Sequence, residues 1–176
     1  LKQFSLSHSQ IIQKVDVSIL EDPYTAILSL FENFTAVSAT QNDHDLFVIL
    51  PLYSTRNSEK RVPEKSGLNQ WNAGGRARDL GEIYIPIPKK IHELLPGFFP
   101  NRDTPFNLKT PDGTTLIAKV CQDNSKALMT NPNNAMSDWL LRHVFELGEG
   151  DILDYDILLK KGYDSVRITK RDNLFF

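Results

Sequence analysis

The stretch FNLKTPDGTTLIAKVCQ, residues 106–122, decides the fold of this chain because it contains a strong hairpin signal. Two runs of strand-forming residues, Phe106–Lys109 and Thr114–Gln122, flank the turn sequence Pro111-Asp112-Gly113. A third strand is predicted for Lys126–Met129, after a short polar turn. The sequence therefore predicts an antiparallel meander in the second half of the chain.

Elements on both sides extend this meander into a mainly β domain with two or three helices. Further strands are predicted for Leu46–Leu52, Glu82–Ile87, Ile152–Leu158 and Tyr163–Lys170, and a longer helix for Asn134–Leu147. The segment from Tyr53 to Gly67 is predicted to be a long connection. Seven strands with two packed helices favour an open, seven-stranded pseudobarrel over residues 46–176.

A brief helix is predicted between Pro88, which opens it, and Pro96, which ends it. Its apolar residues Ile91, Leu94 and Leu95 are expected to face inward. Phe98 and Phe99 follow directly and are expected to anchor the core.

Residues 1–45 are predicted to form an N-terminal extension or interdomain segment. Lys14–Leu20 alternates like a short strand, and Asp22 with Pro23 supplies a helix cap and a first helical residue. The helix should run to about Phe34. Because the first residue is Leu1, we expect the chain to be a piece of a longer protein.

The composition argues against several functional classes. A lone cysteine, Cys121, excludes an internal disulfide, and a structural thiol in a reducing compartment is the expectation. No apolar run reaches membrane-spanning length, so a cytoplasmic protein without membrane contact is predicted. His44-Asp45 and His92-Glu93 are adjacent pairs whose side chains should point apart, so neither a metal nor a cofactor is predicted.

The charge is unevenly distributed along the chain. The net charge is −2, which on its own argues against nucleic acid as a ligand. Residues 56–130, however, hold twelve basic and eight acidic side chains, whereas residues 1–55 hold two basic and six acidic ones. Positive charge is thus concentrated in the part of the chain that carries the two polar loops described next, as a local binding face requires.

The first polar loop has the sequence NQWNAGGRARD, residues 69–79. Arginine presents a rigid fork that matches the O6 and N7 acceptors of guanine, and the amides of Asn and Gln match the edge of adenine. Gly74 and Gly75 allow a close approach of the backbone. Loops of this composition are also common as solvated connectors, and that alternative stays open.

The second polar loop, Gln122–Lys126, leaves the same predicted sheet. Two such loops would be able to straddle a groove of duplex DNA. A plain Asp-Asn-Ser turn is the competing interpretation for this loop. For the domain as a whole, the alternative is a protein-interaction barrel that uses the same loops on a partner protein.

Ordered sequence segments then point to a family. The chain resembles the C-terminal DNA-binding domain of restriction endonucleases of the phospholipase-D superfamily, over roughly residues 46–170. The matching segments are Ser66-Gly67-Leu68-Asn69, Glu82-Ile83-Tyr84-Ile85-Pro86-Ile87-Pro88, Pro96-Gly97-Phe98-Phe99-Pro100, Asp103-Thr104-Pro105-Phe106, Lys119-Val120-Cys121-Gln122-Asp123, Lys126-Ala127-Leu128-Met129 and Trp139-Leu140-Leu141-Arg142.

This resemblance implies the plant-type B-three pseudobarrel, which grips the major groove between an N-arm and a C-arm. The N-arm candidates are Gln70, Trp71, Asn72, Arg76, Arg78 and Asp79. The C-arm candidates are Gln122, Asp123, Asn124, Ser125 and Lys126, with an extension to Asn131, Asn133 and Asn134. We expect the two arginines to read guanines, so that the target contains G·C pairs, and Asp79 to orient one of them or to accept from a cytosine amine. The alternative is that one of the two arginines only pairs with Asp79 or with a phosphate.

Four further basic residues suit phosphates better than bases, because contacts of that class position the protein without carrying sequence information. They are Arg56, Lys60, Arg61 and Lys65. A solvated connector is the alternative interpretation of this segment.

The resemblance also implies a separate nuclease domain that cuts DNA through a His-x-Lys motif. The four histidines of this chain are followed two residues later by Gln10, Leu46, Leu94 and Phe145, so the motif is missing. We therefore expect no catalytic residue here. The parent protein is expected to be a bacterial type II restriction endonuclease whose nuclease domain lies before Leu1.

Overall fold

The computed structural model describes residues 38–39, 46–71 and 77–176. The strand predicted for Lys14–Leu20 and the helix predicted from Asp22 to Phe34 lie outside the described residues. None of the described helices has the length and apolarity that crossing a membrane requires.

Ten strands are described. They are β1 (Ser38–Ala39), β2 (Leu46–Pro51), β3 (Ser54–Arg56), β4 (Glu59–Arg61), β5 (Ile85–Pro86), β6 (Phe106–Lys109), β7 (Thr115–Cys121), β8 (Ala127–Thr130), β9 (Ser165–Arg171) and β10 (Leu174–Phe175). Eight of them form one sheet in the order β1-β2-β9-β10-β6-β7-β8-β5, and β3 and β4 form a separate hairpin.

The sheet is mixed and curls towards closure. Its pairs are antiparallel except for β10 and β6, which run parallel and pair Phe175 with Leu108. β2 and β5 approach one another across the remaining seam. Seven strands of the sheet lie at or after Leu46, so the predicted mainly β, seven-stranded open pseudobarrel is confirmed.

Alternation along the strands builds the core. In β7, Leu116, Ala118 and Val120 point inward, and the intervening residues Ile117 and Lys119 face outward. This pattern is the one expected for a sheet with one face on the core. The predicted hairpin of β6 and β7 is confirmed, with Phe106 opposite Ala118 and Lys109 opposite Thr115.

Aromatic rings close one side of the barrel. Phe98 and Phe99 are both buried, as predicted, with ring centroids 4.8 Å apart in an edge-to-face arrangement. Phe106 and Phe175 lie 4.4 Å apart in the same cluster. Such pairs add to the free energy gained from burial alone.

Three short α-helices accompany the sheet: α1 (Lys89–Leu94), α2 (Ala135–Ser137) and α3 (Tyr155–Lys161). α2 continues as a π-helix over Asp138–Val144, so the single helix predicted for Asn134–Leu147 is in fact two helix types in series. In α1, Ile91 is buried as predicted. Leu94, in contrast, is 50% exposed, and its expected inward position is wrong.

The strand predicted for Ile152–Leu158 is wrong, because this segment contains the start of α3. The Asp154 side chain caps the helix by accepting a hydrogen bond from Ile157 N at 2.8 Å. Gly162 ends the helix with a φ of +77°, a conformation that glycine adopts without strain. The seventh strand of the barrel is instead β10, at the C-terminus of the chain.

The connection predicted for Tyr53–Gly67 is also more ordered than expected. It contains the β3–β4 hairpin, whose turn residues Asn57 and Ser58 both have positive φ, 52° and 64°. Two consecutive left-handed residues are typical of the tight hairpin turn whose twist matches the strands. Basic side chains are therefore held on a defined ribbon.

Candidate nucleic-acid interface

The base of the N-arm is anchored by a buried asparagine. A short 3-10 helix, Gly67–Asn69, precedes the arm, and Asn69 is only 6% exposed. Its amide donates to Leu153 O at 2.9 Å and to Pro63 O at 3.1 Å, and its side-chain oxygen accepts from Leu153 N at 2.9 Å. Asn69 is thus a structural residue, although it belongs to the loop whose polar residues suggested base reading.

The two ends of the arm are joined directly. Trp71 and Ala77 form an antiparallel bridge, and Arg78 N donates to Gln70 O at 2.8 Å. The Gln70 side chain accepts from Gly81 N at 2.6 Å. Gln70 therefore links the two described ends of the arm. The arm's tip, residues 72–76, lies outside the described residues, and with it the candidates Asn72 and Arg76.

Trp71, at the start of the arm, contacts a basic side chain. The Lys65 ammonium lies 4.9 Å from the centroid of the Trp71 ring, a cation–π distance. Lys65, a predicted phosphate contact, therefore already makes a cation–π contact with Trp71 of the N-arm.

Gly67 is needed because the Tyr84 ring lies directly over it. A Cβ atom at Gly67 would overlap that ring. Tyr84 N also donates to Gly67 O at 3.1 Å, so the two segments are held face to face. A side chain at position 67 would push Tyr84 away from the base of the arm.

The Arg78 guanidinium is enclosed on several sides. It lies 5.5 Å from the centroid of the Tyr84 ring, and its two terminal nitrogens lie 3.8 Å and 3.7 Å from Met129 Sδ. Arg78 Nε is 3.5 Å from Glu82 Oε2, and the side chain is only 12% exposed. The charge partner of Arg78 is Glu82, while the neighbouring Asp79 is exposed.

The C-arm turn has an unusual backbone. Gln122, Asn124 and Ser125 all have positive φ, of 65°, 57° and 53°. Asn tolerates this region, but Gln122, with ψ at 175°, occupies a region that is largely reserved for glycine. Strain of this kind is concentrated at functional sites, where the surrounding structure holds it in place.

Most side chains of this turn remain available to a ligand. Asp123, Asn124 and Lys126 are exposed. Asp123 is within 3.6 Å of Arg102 Nη1, although its side chain is still 88% exposed. The turn is attached to α1 through the Ser125 carbonyl oxygen, which lies 3.0 Å from His92 Nε2.

The C-arm turn and the exit of the N-arm border one small cluster. Tyr84, Cys121, Ala127 and Met129 form it on the outer face of the sheet, apart from the main core. Cys121 and Ala127 directly flank the C-arm turn, and the Arg78 guanidinium covers Tyr84 and Met129. Burial raises the pKa of the Cys121 thiol, in keeping with the structural role predicted for it.

The extension of the C-arm lies beside the exit of the N-arm. Asn133 Nδ2 donates to Glu82 Oε1 at 2.6 Å. Asn134 Nδ2 donates to Asp138 Oδ2 at 3.1 Å, and Asn131 is exposed at the start of the segment. A Cβ atom at Gly81 would come within 3.4 Å of Asn134 Cβ, so the two backbones are close.

The β3–β4 hairpin separates the phosphate candidates into two groups. Ser54 pairs with Arg61 and Arg56 with Glu59, which places Arg56 and Arg61 on one face of the ribbon, both exposed. Lys60 lies on the other face, 3.3 Å from Asp164 Oδ2 and 4.4 Å from the Tyr53 ring centroid. Arg56 and Arg61 are thus presented together to solvent, whereas Lys60 is held against the domain.

Reasoning from the sequence missed the residues that brace the arms. Glu82, Tyr84 and Met129 lie in predicted strands, and only the tertiary structure shows that they meet Arg78. Within the described residues, no group of His, Cys, Asp and Glu side chains is arranged to hold a metal ion.

One comparison with known proteins agrees with this fold. The family model described as NgoFVII C-terminal B3-like DNA-binding domain matches residues 42–172. The comparison with curated proteins finds no match. The matched range takes in the whole barrel up to β9 and both candidate arms. The chain therefore belongs to the family of B3-like DNA-binding domains found at the C-terminus of the restriction enzyme NgoFVII.

Proposed function

We propose that this domain recognises a specific site in double-stranded DNA through the major groove, with the N-arm and the C-arm on either side of the contacted bases. The observation that carries the proposal is the shared cluster of Tyr84, Cys121, Ala127 and Met129, which both arms border. A major groove admits a helix or a two-stranded ribbon, so two polar loops that border one cluster are suited to enter it together. Family membership supports DNA as the ligand.

The arms divide their tasks between support and contact. Gln70, Trp71 and Arg78 have their side chains engaged within the protein, so we assign the N-arm's contacts to its tip, with Arg76 reading a guanine. We assign Asn72, within the tip, and Asp79, which follows it in the sequence, to the same set of contacts. A bidentate contact of this kind contributes roughly 1–3 kcal/mol of discrimination.

The C-arm supplies the second set of contacts. Asn124 and Lys126 are exposed on the turn and are the residues we assign to a base and to a base or phosphate, respectively. Gln122, Asp123 and Ser125 shape the turn and bring its backbone towards the groove. Asn131, Asn133 and Asn134 extend this surface along the DNA.

Phosphate contacts are assigned mainly to the exposed face of the β3–β4 hairpin. Arg56 and Arg61 lie together on that face, where they are able to follow one strand of the duplex. Lys60 and Lys65 already have partners at Asp164 and Trp71, so their contributions should be smaller. Such contacts supply affinity that falls with salt and carries no sequence preference.

We further propose that the domain serves as the target-recognition part of a bacterial type II restriction endonuclease similar to NgoAVII. In that arrangement a phospholipase-D-type nuclease domain of the same parent chain cuts the DNA in the cytoplasm. The domain itself then binds DNA without cleaving it. This assignment rests on the resemblance of the sequence segments and on the B3-like family.

The proposal is tested by selection from a randomised duplex pool at fixed salt concentration, with the purified chain. We expect one short motif containing G·C pairs to be enriched, and we expect affinity for it to fall steeply as salt rises. The Arg76→Ala variant should lose the base preference at one position of the motif. Lys109→Ala, which changes β6 beside the β6–β7 turn, should keep that preference. If no duplex is enriched over background, sequence-specific DNA recognition is excluded and the protein-interaction barrel is favoured.

A further inference from the structure

Glu82 occupies the junction between the two arms although it belongs to neither. One carboxylate oxygen lies 3.5 Å from Arg78 Nε, at the exit of the N-arm. The other accepts a hydrogen bond of 2.6 Å from Asn133 Nδ2, in the extension of the C-arm. Glu82 is therefore in direct contact with side chains from both candidate DNA-binding segments.

Arg78 depends on this carboxylate. Its Nε is buried and makes no hydrogen bond, so the 3.5 Å approach to Glu82 is a charge–charge contact. Among the residues that the structure describes, the guanidinium also lies against the Tyr84 ring and the Met129 sulfur, which are both uncharged. A largely buried cation without a countercharge is strongly disfavoured, so Glu82 keeps Arg78 in place.

The backbone around Glu82 is equally constrained. Glu82 N donates to Asp79 O at 3.0 Å and closes the turn that leaves the N-arm. Within that turn Gly81 has a φ of +85°, and a Cβ atom there would come within 3.3 Å of Ser137 Oγ. Movement of Glu82 would therefore be transmitted to the segment 131–137 as well as to Arg78.

We propose that Glu82 is a positioning residue for DNA recognition, which sets the spacing of the N-arm and the C-arm extension through Arg78 and Asn133. The inference deepens the proposed function and rests on it. Arg78 then holds the C-terminal end of the N-arm in position and does not read a nucleotide base itself. The correct spacing matters because base contacts on both arms must be made at the same time to discriminate a target.

The test compares Glu82→Gln with the wild-type chain on the selected duplex and on a scrambled duplex. The amide keeps the size of the side chain but removes the charge that Arg78 requires. We expect about tenfold weaker binding to the target and a similar drop in the target-to-scrambled ratio, because such loss of positioning acts on specific contacts. The dependence of affinity on salt should be unchanged, since no phosphate contact is lost.

Glu93→Gln is the matched control. Lys89 and Glu93 form an ion pair with the same four-residue spacing, but their side chains are 84% and 56% exposed. This variant loses the same charge outside the junction, so its affinity should stay within about twofold of wild type. Equal losses in Glu82→Gln and Glu93→Gln would show a general charge effect and overturn the inference.

Two further measurements separate positioning from folding and from a direct DNA contact. Thermal unfolding identifies a working temperature at which Glu82→Gln is fully folded. Asn133→Ala removes the donor to Glu82, and Glu82→Ala removes the acceptor, so we expect Asn133→Ala to have little further effect on the target-to-scrambled ratio when Glu82→Ala is already present. Additive effects in the double variant would sink the idea, as would an Arg78→Ala variant whose salt slope falls by about one.

The two proposals fail in different ways. If the wild-type chain selects no duplex, the DNA-recognition proposal itself is wrong. If the wild-type chain selects a motif and Glu82→Gln recognises it equally well, only the role of Glu82 is rejected.

Discussion

The bases of the two arms are built in opposite ways. At the base of the N-arm, the side chains of Asn69, Gln70 and Arg78 each contact another segment of the protein. The C-arm is a three-residue 3-10 turn between β7 and β8, with a strained backbone and exposed side chains at Asp123 and Asn124.

This difference separates support from contact. A polar residue that is buried must satisfy its hydrogen bonds within the protein, and it is then unavailable to a ligand. A polar residue on a turn held by its backbone keeps its side chain free. This is why we assign the proposed contacts to the C-arm turn itself and, on the N-arm, to residues beyond its braced ends.

The largest effect is expected for Asn69→Ala, which tests whether the base of the N-arm is braced by buried hydrogen bonds. The substitution leaves the backbone groups of Leu153 and the Pro63 carbonyl without a partner in a buried position. We expect a loss of about 3 kcal/mol in the free energy of unfolding, because each buried polar group left unpaired costs roughly 1–3 kcal/mol. Urea denaturation measures the loss.

Asn107→Ala is the control for that experiment. Asn107 is exposed on β6, so its replacement should change stability by less than about 0.5 kcal/mol. A stable Asn69→Ala variant, indistinguishable from Asn107→Ala, would mean that the base of the N-arm is not braced as described.

On the C-arm, the corresponding change is Lys126→Ala, and here the effect should be on binding and not on stability. Lys126 is exposed beside the turn. We expect about tenfold weaker binding to the selected duplex, equivalent to roughly 1.4 kcal/mol. A salt slope reduced by about one would identify a phosphate contact, and a lost base preference would identify base reading.

Lys109→Ala provides the comparison for Lys126, because Lys109 is also an exposed lysine and lies beside the turn of the β6–β7 hairpin, at the opposite end of β7 from the C-arm. Its duplex affinity should remain close to wild type in an equilibrium titration. Equal losses from both lysines would argue for diffuse electrostatic attraction instead of a defined arm.

The smallest effect is expected from Gln122→Gly, and its sign is opposite to that of Asn69→Ala. Glycine adopts the backbone angles of position 122 without strain. Glycine relieves the strain in the folded state, but it also gives the unfolded chain more conformational entropy. The net result should be an increase of about 1 kcal/mol in the free energy of unfolding. Gln122→Ala is the control, because alanine is strained at these backbone angles as glutamine is, and its melting temperature should not rise. If the melting temperature of Gln122→Ala rises as much as that of Gln122→Gly, the backbone at position 122 is not strained.

Local sequence signals were sufficient for much of the barrel. The β6–β7 hairpin, its Pro111-Asp112-Gly113 turn and the burial of Phe98 and Phe99 follow from patterns a few residues long. The strand predicted for Ile152–Leu158 is wrong because the apolar spacing of this segment fits a strand, while the residues at its ends are helix caps. Asp154 and Gly162 mark the two ends of α3 and were the better signal.

The candidate site was predictable only at the level of segments. The composition of residues 69–79 and 122–126 points to two polar loops. The structure has a short 3-10 turn within 122–126, and a bridge between Trp71 and Ala77 joins the described ends of the first segment. Which side chains are engaged within the protein depends on contacts between residues far apart in sequence, such as Arg78 with Met129 and Asn69 with Leu153. No local pattern contains that information.

The sequence by itself determined a mainly β barrel with two polar loops and a local excess of positive charge, because alternation, turn residues and charge are local properties of the chain. Only the tertiary structure decided that Asn69 is a buried brace while Asn124 is an exposed candidate for contact. The two side chains are chemically identical. Their roles differ because burial forces one to satisfy its hydrogen bonds inside the protein and leaves the other free to satisfy them outside.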